Sequence, residues 1–64
     1  MNKIYCVIWH DLRKDPTDIP SENECVLNQY GQTVFRIGDI WYDDKTQCCA
    51  TVILWCYIPT FDVE

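Results

Sequence analysis

The sequence predicts a mainly β fold, or a small α+β fold, built as a compact antiparallel sheet of about four strands with at most one short helix. Three observations support this. β-Branched and aromatic residues cluster in short runs, as is typical of strands. Turn-forming Pro, Gly and Asp separate those runs. The chain has 64 residues, of which 48% are hydrophobic and 14% aromatic, so it is too apolar for disorder and should form one domain, residues 1–64.

The N-terminal half begins with a predicted strand from Lys3 to Trp9, an apolar run rich in β formers. Residues 11–21 are predicted to form a loop, because two prolines remove backbone donors and restrict the residues before them. Residues 21–31 allow two interpretations. A capping box of Ser21 and Glu24, with a C-terminal glycine, favours a short helix. Alternatively, residues 24–29 form a strand that turns at residues 30–31.

The C-terminal half is predicted to contain two strands. Residues 33–42 alternate so that Phe35, Ile37 and Trp41 share one face, and Gly38 within the run indicates a β-bulge or a close backbone approach. Residues 43–46 are a predicted polar turn. Residues 49–58 are the richest in β formers and are predicted to form a strand that Pro59 ends.

Both faces of the first and last predicted strands are apolar, which is typical of strands that are covered on both sides. In the last strand Ile53, Trp55 and Tyr57 oppose Val52, Leu54, Cys56 and Ile58. Because one short helix cannot cover both faces, we expect part of this surface to contact another chain, either a partner protein or a second copy. Alternatively, loop 11–21 and the C-terminal tail fold over the second face.

The charge of the chain argues against direct nucleic-acid binding. Ten acidic residues against five basic ones give a net charge of −5, and the basic residues are scattered: Lys3, Arg13, Lys14, Arg36 and Lys45. An acidic surface suits a host protein with a basic surface, such as a nucleic-acid enzyme. The alternative is that the negative charge only maintains solubility.

The apolar N-terminal run is too short for a signal-peptide core, and no apolar run approaches the length of a membrane span. We therefore expect a cytoplasmic location and no membrane partner. The five cysteines, an odd number, are expected to be reduced thiols.

The sequence predicts no enzyme, cofactor or metal site. The single histidine, His10, precedes Asp11, but neighbours in a strand point to opposite faces. A zinc site from His10, Cys25, Cys48 and Cys49 can be drawn, yet its spacing does not match the paired cysteines of structural zinc sites. The vicinal Cys48 and Cys49 are alternatively redox-sensitive if exposed. Two glycines are too few for a phosphate-binding loop.

The C-terminal run Trp55-Cys56-Tyr57-Ile58-Pro59 resembles the Trp-x-x-Leu-Pro ending of a family of short phage and prophage proteins, domain of unknown function five hundred and fifty-one. Trp9 with Ile19-Pro20 is similar to the family's N-terminal Trp and Leu-Pro, and residues 24–27 to its Val-Leu strand before a turn glycine, Gly31. The segment from Ile37-Gly38 to Tyr42 completes the likeness, which spans residues 9–59. It implies a strand at residues 24–29 and a phage or prophage origin, and it implies no catalytic residue. The loop from Trp9 to Pro20 is longer than the family pattern, and a predicted strand precedes Trp9.

Together these observations predict a small phage- or prophage-encoded interaction protein in the cytoplasm of a bacterial host. It would bind and inhibit a host protein, for instance a defence nuclease such as a CRISPR effector, by steric and electrostatic occlusion. Aromatic and acidic side chains are the expected contacts: Trp9, Asp39, Trp41, Tyr42, Asp43, Asp44, Tyr57, Asp62 and Glu64. The alternative is an oligomeric sponge that binds a nucleotide or another small molecule in a pocket lined by Trp and Tyr.

Overall fold

The computed structural model describes residues 8–59, which form a five-stranded antiparallel sheet. The strands are β1 (His10–Asp11), β2 (Val26–Asn28), β3 (Thr33–Ile37), β4 (Ile40–Asp43) and β5 (Leu54–Tyr57). The predicted mainly β, antiparallel fold is confirmed, with five strands where about four were expected. No helix is present within residues 8–59, so none crosses a bilayer there.

The order of strands across the sheet is β1-β5-β2-β3-β4, so the last strand lies between the first and the second. Asn28 of β2 and His10 of β1 are both opposite Trp55 of β5, one on each side. In β5 the apolar residues Trp55 and Cys56 are consecutive and both buried. Because consecutive residues in a strand face opposite sides, a strand that is buried on both sides is suited to the interior of the sheet.

The predicted single strand over residues 33–42 is wrong, because the chain reverses within it. β3 and β4 form a hairpin in which Ile37 is opposite Ile40 and residues 38–39 are the two-residue loop. Gly38 has a φ of +60°, and Asp39 has a negative φ. This combination is that of a type II′ turn, which favours glycine at its first central position. Gly38 is therefore a turn residue and not a bulge, and Trp41 lies on the face opposite Phe35 and Ile37.

Two further strand predictions change in extent. The strand interpretation of residues 24–29 is confirmed as the shorter β2, which an Asn28-centred turn ends. The predicted strand over residues 49–58 is too long, since β5 covers only Leu54–Tyr57. Cys49 instead forms an isolated β-bridge with Tyr42, and the Ala50 N–H donates to the Trp41 carbonyl. Residues 49–50 therefore lie along the edge of β4 that does not pair with β3.

Of the predicted first strand over residues 3–9, residues 3–7 lie outside the described part. Ile8 and Trp9 are not in a strand, and β1 begins only at His10. The predicted loop over residues 11–21 is confirmed except that Asp11 ends β1. The polar turn at residues 43–46 is also confirmed: the Asp43 carboxylate accepts hydrogen bonds from the backbone N–H groups of Lys45 and Thr46 at 2.8 and 3.2 Å.

The core lies on one face of the sheet, which we call the inner face. Val26, Val34 and Trp55 are buried there. The partly buried side chains that pack against them come from β4 and from two loops: Leu12, Trp41, Ala50 and Val52. Loop 12–25 is tied to this face by the Trp55 Nε1–H, which donates to the Asp18 carbonyl at 2.7 Å. The loops thus cover the inner face.

Candidate functional site

The opposite side of the sheet, the outer face, carries a second apolar surface. Its members follow from strand alternation and the observed register: Leu27, Phe35, Ile37, Ile40, Tyr42, Leu54 and Cys56. Cys56 is buried, and Leu27, Phe35, Tyr42 and Leu54 are half-buried. At the tip of the β3–β4 hairpin, Ile37 is 49% and Ile40 50% exposed. Apolar exposure therefore increases from the middle of the sheet towards this hairpin.

A shallow depression lies on the outer face beside the hairpin. It has a volume of about 360 Å³ and is lined by Asn23, Phe35, Ile37, Tyr42 and Gln47. The Phe35 and Tyr42 rings are cross-strand neighbours and stack with centroids 5.6 Å apart and planes 25° from parallel. Together they form the aromatic surface in the lining of the depression. The depression is shallow and open to solvent, so a side chain of a partner can enter it.

The lining of the depression includes two residues with left-handed backbone. Asn23 has a φ of +66° and Gln47 a φ of +61°, and they are the two non-glycine residues with positive φ in the described chain. Asparagine tolerates this region, whereas for glutamine it is uncommon. The Gln47 conformation is held by its N–H, which donates to the Asp43 carbonyl, and by its Nε2, which donates to the Asp44 carbonyl, each at 2.8 Å. Strained backbone that the surroundings fix in this way is a feature of binding sites.

An acidic group lies beside the aromatic surface. Asp44 follows β4, and its N–H donates to the Thr33 carbonyl at 2.9 Å. Its Oδ1 is 3.9 Å from Sγ of Cys25, which precedes β2. Since β3 separates β2 from β4, this contact places the Asp44 carboxylate across β3 on the outer face. Although Cys25 is exposed, desolvation by its neighbours, with the Asp44 charge as a second cause, raises the pKa of its thiol, so this thiol stays protonated at neutral pH.

The hairpin tip is braced from loop 12–25. The Glu22 carboxylate accepts a hydrogen bond from the Gly38 N–H at 3.1 Å. The Arg36 guanidinium donates to the Gly38 carbonyl at 3.0 Å and to the Pro20 carbonyl at 2.7 Å. Asp39, at the tip itself, is exposed and its carboxylate accepts no hydrogen bond from residues 8–59. The tip is therefore held in place while its aspartate is available to a partner.

The structure brings together three of the predicted partner-binding residues. Tyr42 lines the depression, Asp44 lies beside it, and Asp39 is at the tip of the same hairpin. Trp9 precedes β1 and is 45% exposed. Asp62 and Glu64 lie outside the described residues.

Three other predicted partner-binding residues are on the inner face. Trp41 packs against the core, and the Asp43 carboxylate is used to fix the following turn. Tyr57 is exposed and its ring is edge-on to Trp55 at 5.1 Å between centroids. These three side chains are therefore separated by the sheet from the depression.

Sequence reasoning missed Phe35, Ile37 and Ile40 as surface residues of one hairpin. The signal was present: Gly38-Asp39 between two isoleucines is a two-residue hairpin loop of the Gly-Asp type. It also missed Asn23 and Gln47. No local pattern predicts that Gln47 adopts a positive φ, because its conformation is fixed by hydrogen bonds to the turn after β4.

The histidine has a partner that sequence proximity did not suggest. His10 Nδ1 is 2.7 Å from Asp18 Oδ2, and its ring stacks on Trp55 at 4.1 Å between centroids. Asp11 is instead paired with Arg13, whose Nη2 is 2.9 Å from Asp11 Oδ2. That pairing lowers the pKa of Asp11, mainly through the hydrogen bond from the Arg13 side chain. The His10–Asp18 pair attaches loop 12–25 to the sheet.

The zinc site drawn from the sequence is not assembled within residues 8–59, where no group of three or more His, Cys, Asp or Glu side chains is arranged to hold a metal ion. Cys25, Cys48 and Cys49 are free and exposed, and Cys56 is free and buried. Burial raises the pKa of the Cys56 thiol, as expected for a small apolar residue in a packed sheet.

Comparison of the chain with protein-family models, with curated proteins and with solved structures finds no match. The resemblance of residues 9–59 to the short phage family therefore stays a prediction.

Proposed function

We propose that this protein is a phage- or prophage-encoded inhibitor that binds a basic surface of a host protein, such as a nucleic-acid enzyme of a defence system, in the bacterial cytoplasm. The observation that supports binding to a host protein is the depression on the outer face. An aromatic and aliphatic surface there adjoins exposed carboxylates that are not used to hold the fold together. The phage origin rests on the resemblance at residues 55–59.

The carboxylates support a basic partner. Most described acidic side chains hold the fold together by accepting hydrogen bonds from neighbouring residues, namely Asp11, Asp15, Asp18, Glu22 and Asp43. Of the other three, Glu24 and Asp39 accept none within residues 8–59, and Asp44 receives only the weak thiol contact from Cys25. Asp39 and Asp44 flank the exposed isoleucines and the aromatic pair. An apolar centre with a charged rim is the usual organisation of a protein interface.

The same charges favour a different protein over a second copy of this chain. If two copies met through the outer face about a twofold axis, the Asp39 and Asp44 carboxylates of both copies would lie in one interface. Juxtaposed like charges weaken such an interface, whereas a basic partner gains attraction and a faster encounter. The net charge of −5 also favours a basic partner over a second copy, because it attracts the one and repels the other at long range.

Inhibition would follow because the bound protein occupies the surface that the partner uses for its substrate. A nucleic-acid enzyme binds its substrate through a basic channel, which an acidic protein of this size can enter and block. The braced hairpin limits the ordering cost of binding because its tip is already fixed by Arg36 and Glu22.

The test is a tagged pull-down of the full chain from bacterial lysate, with mass spectrometry and light scattering on the eluate. The two carboxylates are reversed singly as Asp39→Lys and Asp44→Lys. Asp15→Lys is the charge-matched control, because Asp15 lies beside β1, at the opposite edge of the sheet from the β3–β4 hairpin. Since the Asp15 carboxylate accepts hydrogen bonds from Thr17, urea unfolding is used first to check that all three variants fold. Once a basic partner is recovered at fixed stoichiometry, each hairpin variant is expected to weaken its binding about three- to tenfold, and the control to leave it unchanged.

Two outcomes would overturn the proposal. Equal weakening by all three variants would show a general charge effect and not a site on the outer face. Recovery of the chain alone as a defined oligomer, with a melting temperature that nucleotides raise, would replace the inhibitor by the small-molecule sponge.

A further inference from the structure

We infer that the outer-face depression accepts an arginine side chain of the partner, with its guanidinium over the Phe35–Tyr42 rings. This inference rests on the proposed function and specifies the chemistry that the site recognises. Three features of the depression support it: an aromatic surface, side-chain amide oxygens on its lining, and an adjacent carboxylate.

The aromatic surface is the first feature. Phe35 and Tyr42 are half-buried, and their offset rings form part of the wall of the depression. A cation over such rings is attracted by their negative faces, and guanidinium groups are the cations most often found there. Ile37, which lines the depression as well, offers apolar contact to the methylene groups of an arginine stem.

The amide groups are the second feature. Gln47 Nε2 donates to the Asp44 carbonyl at 2.8 Å, which fixes the amide and leaves Oε1 without a donor among residues 8–59. The Asn23 side chain makes no hydrogen bond in the described chain, while its backbone is held by the Asn23 N–H, which donates to the Arg36 carbonyl at 3.0 Å. Two residues of the lining therefore have amide oxygens that accept no hydrogen bond from residues 8–59.

The carboxylate is the third feature. Asp44 lies across β3 on the same face, and the Cys25 thiol beside it is neutral because its pKa is raised. The chain's own Arg36 does not compete, since its guanidinium donates to the Pro20 and Gly38 carbonyls. A carboxylate, two amide oxygens and an aromatic surface match a planar cation with five N–H donors better than a compact ammonium.

The experiment is an NMR titration of the isotope-labelled 64-residue chain at low ionic strength with blocked arginine, acetyl-arginine methylamide. Blocked lysine and blocked citrulline, the neutral isostere of arginine, are the comparison probes. We expect saturable shifts of the Phe35, Tyr42 and Gln47 amide signals. Binding of citrulline is expected to be about fivefold weaker and of lysine about twofold weaker than that of arginine.

A matched pair of variants locates the site. Asp44→Asn removes one charge without changing shape and is expected to weaken arginine binding about threefold. Asp15→Asn removes the same charge beside β1, at the opposite edge of the sheet from the depression, and should leave arginine binding unchanged. Equal affinity for citrulline, or arginine shifts located outside the depression, would overturn the inference. If the pull-down still shows binding that depends on Asp39 and Asp44, the proposed function stands without it.

Discussion

Replacing Asn28 by aspartate tests how much of the stability depends on one buried amide. Asn28 is fully buried at the end of β2. Its Oδ1 accepts from the Tyr30 and Gln32 N–H groups at 3.0 and 2.9 Å. Its Nδ2 donates to the Gln32 Oε1 at 3.0 Å and to the Thr51 carbonyl at 3.2 Å. Asn28→Asp keeps the shape and both acceptor contacts, and it removes both donors.

The magnitude follows from these contacts. Gln32 is exposed and can rotate its amide so that Nε2 donates to the new carboxylate. The Thr51 carbonyl cannot rotate in that way, so one hydrogen bond worth about 1 kcal/mol is lost. The carboxylate left facing that carbonyl adds about 1–3 kcal/mol. The total of about 2–4 kcal/mol is most of the stability that a core of this size supplies, about 3–5 kcal/mol.

The pH dependence has a definite sign. The hydrogen bonds from the Tyr30 and Gln32 N–H groups lower the pKa of the introduced carboxyl, whereas full burial and the facing Thr51 carbonyl raise it. We expect burial to dominate, so that the folded pKa exceeds the unfolded value of about 3.9. The folded variant then binds more protons than the unfolded one, so its stability increases as pH falls. Protonation of the introduced carboxyl in acid also restores one hydrogen-bond donor at this position. The gap in unfolding free energy between wild type and Asn28→Asp should therefore be smaller at pH 5 than at pH 7.

Urea unfolding followed by tryptophan fluorescence measures this gap, because Trp55 is 1% exposed when the chain is folded. Gln32→Glu is the control: it adds the same charge to the same turn but keeps the acceptor for Asn28 Nδ2, and it should change stability by less than about 0.5 kcal/mol. A loss below about 1 kcal/mol for Asn28→Asp at pH 7, or a gap that widens at pH 5, would refute the reasoning.

Three further predictions concern the hairpin and the charged groups. Gly38→Ala should cost about 1–2 kcal/mol in the same urea assay through backbone strain alone, because φ is +60° and an added Cβ meets nothing within 4 Å; a cost near zero would contradict the turn assignment. Asp44→Asn should lower the Cys25 thiol pKa, of which desolvation is the larger cause and the Asp44 charge the second, and should speed alkylation of this thiol at pH 8, measured by peptide mass mapping; an unchanged alkylation rate would contradict this. Asp11→Asn should reduce the stability that the chain loses in acid. Arg13 lowers the pKa of Asp11 in the folded chain, so the Asp11–Arg13 ion pair stabilises the fold at pH values above the unfolded pKa of Asp11. This stabilisation is lost as the pH falls through the folded pKa. An unchanged acid limb of the stability curve would contradict this.

The fold class could be predicted because it depends on local chemistry. β-Branched and aromatic runs separated by Pro, Gly and Asp determine extended segments and turns within a few residues. The turn at residues 44–46 could be predicted in this way, whereas local patterns left residues 21–31 open between a short helix and a strand. The chain reversal at Gly38 could also have been predicted from the Gly-Asp pair. However, apolar residues continue on both sides of this two-residue loop, so residues 33–42 resemble one strand.

The candidate site depended on contacts that local patterns do not contain. A hairpin changes which residues share a face, so Tyr42 joins Phe35 and Trp41 packs into the core. Gln47 is directed into the depression by hydrogen bonds to the turn after β4. His10 is paired with Asp18 because loop 12–25 folds back over the inner face.

The sequence by itself determined an acidic, strand-forming chain with the loop after β1 and the turn after β4 near the observed places, since charge and turn propensity are properties of a few neighbouring residues. Tertiary structure decided that β5 lies between β1 and β2, which loops cover the inner face, and that Asp44 reaches Cys25 across β3. Those outcomes depend on pairing between residues far apart in the chain. Burial of apolar area selects that pairing for the molecule as a whole, so no short segment encodes it.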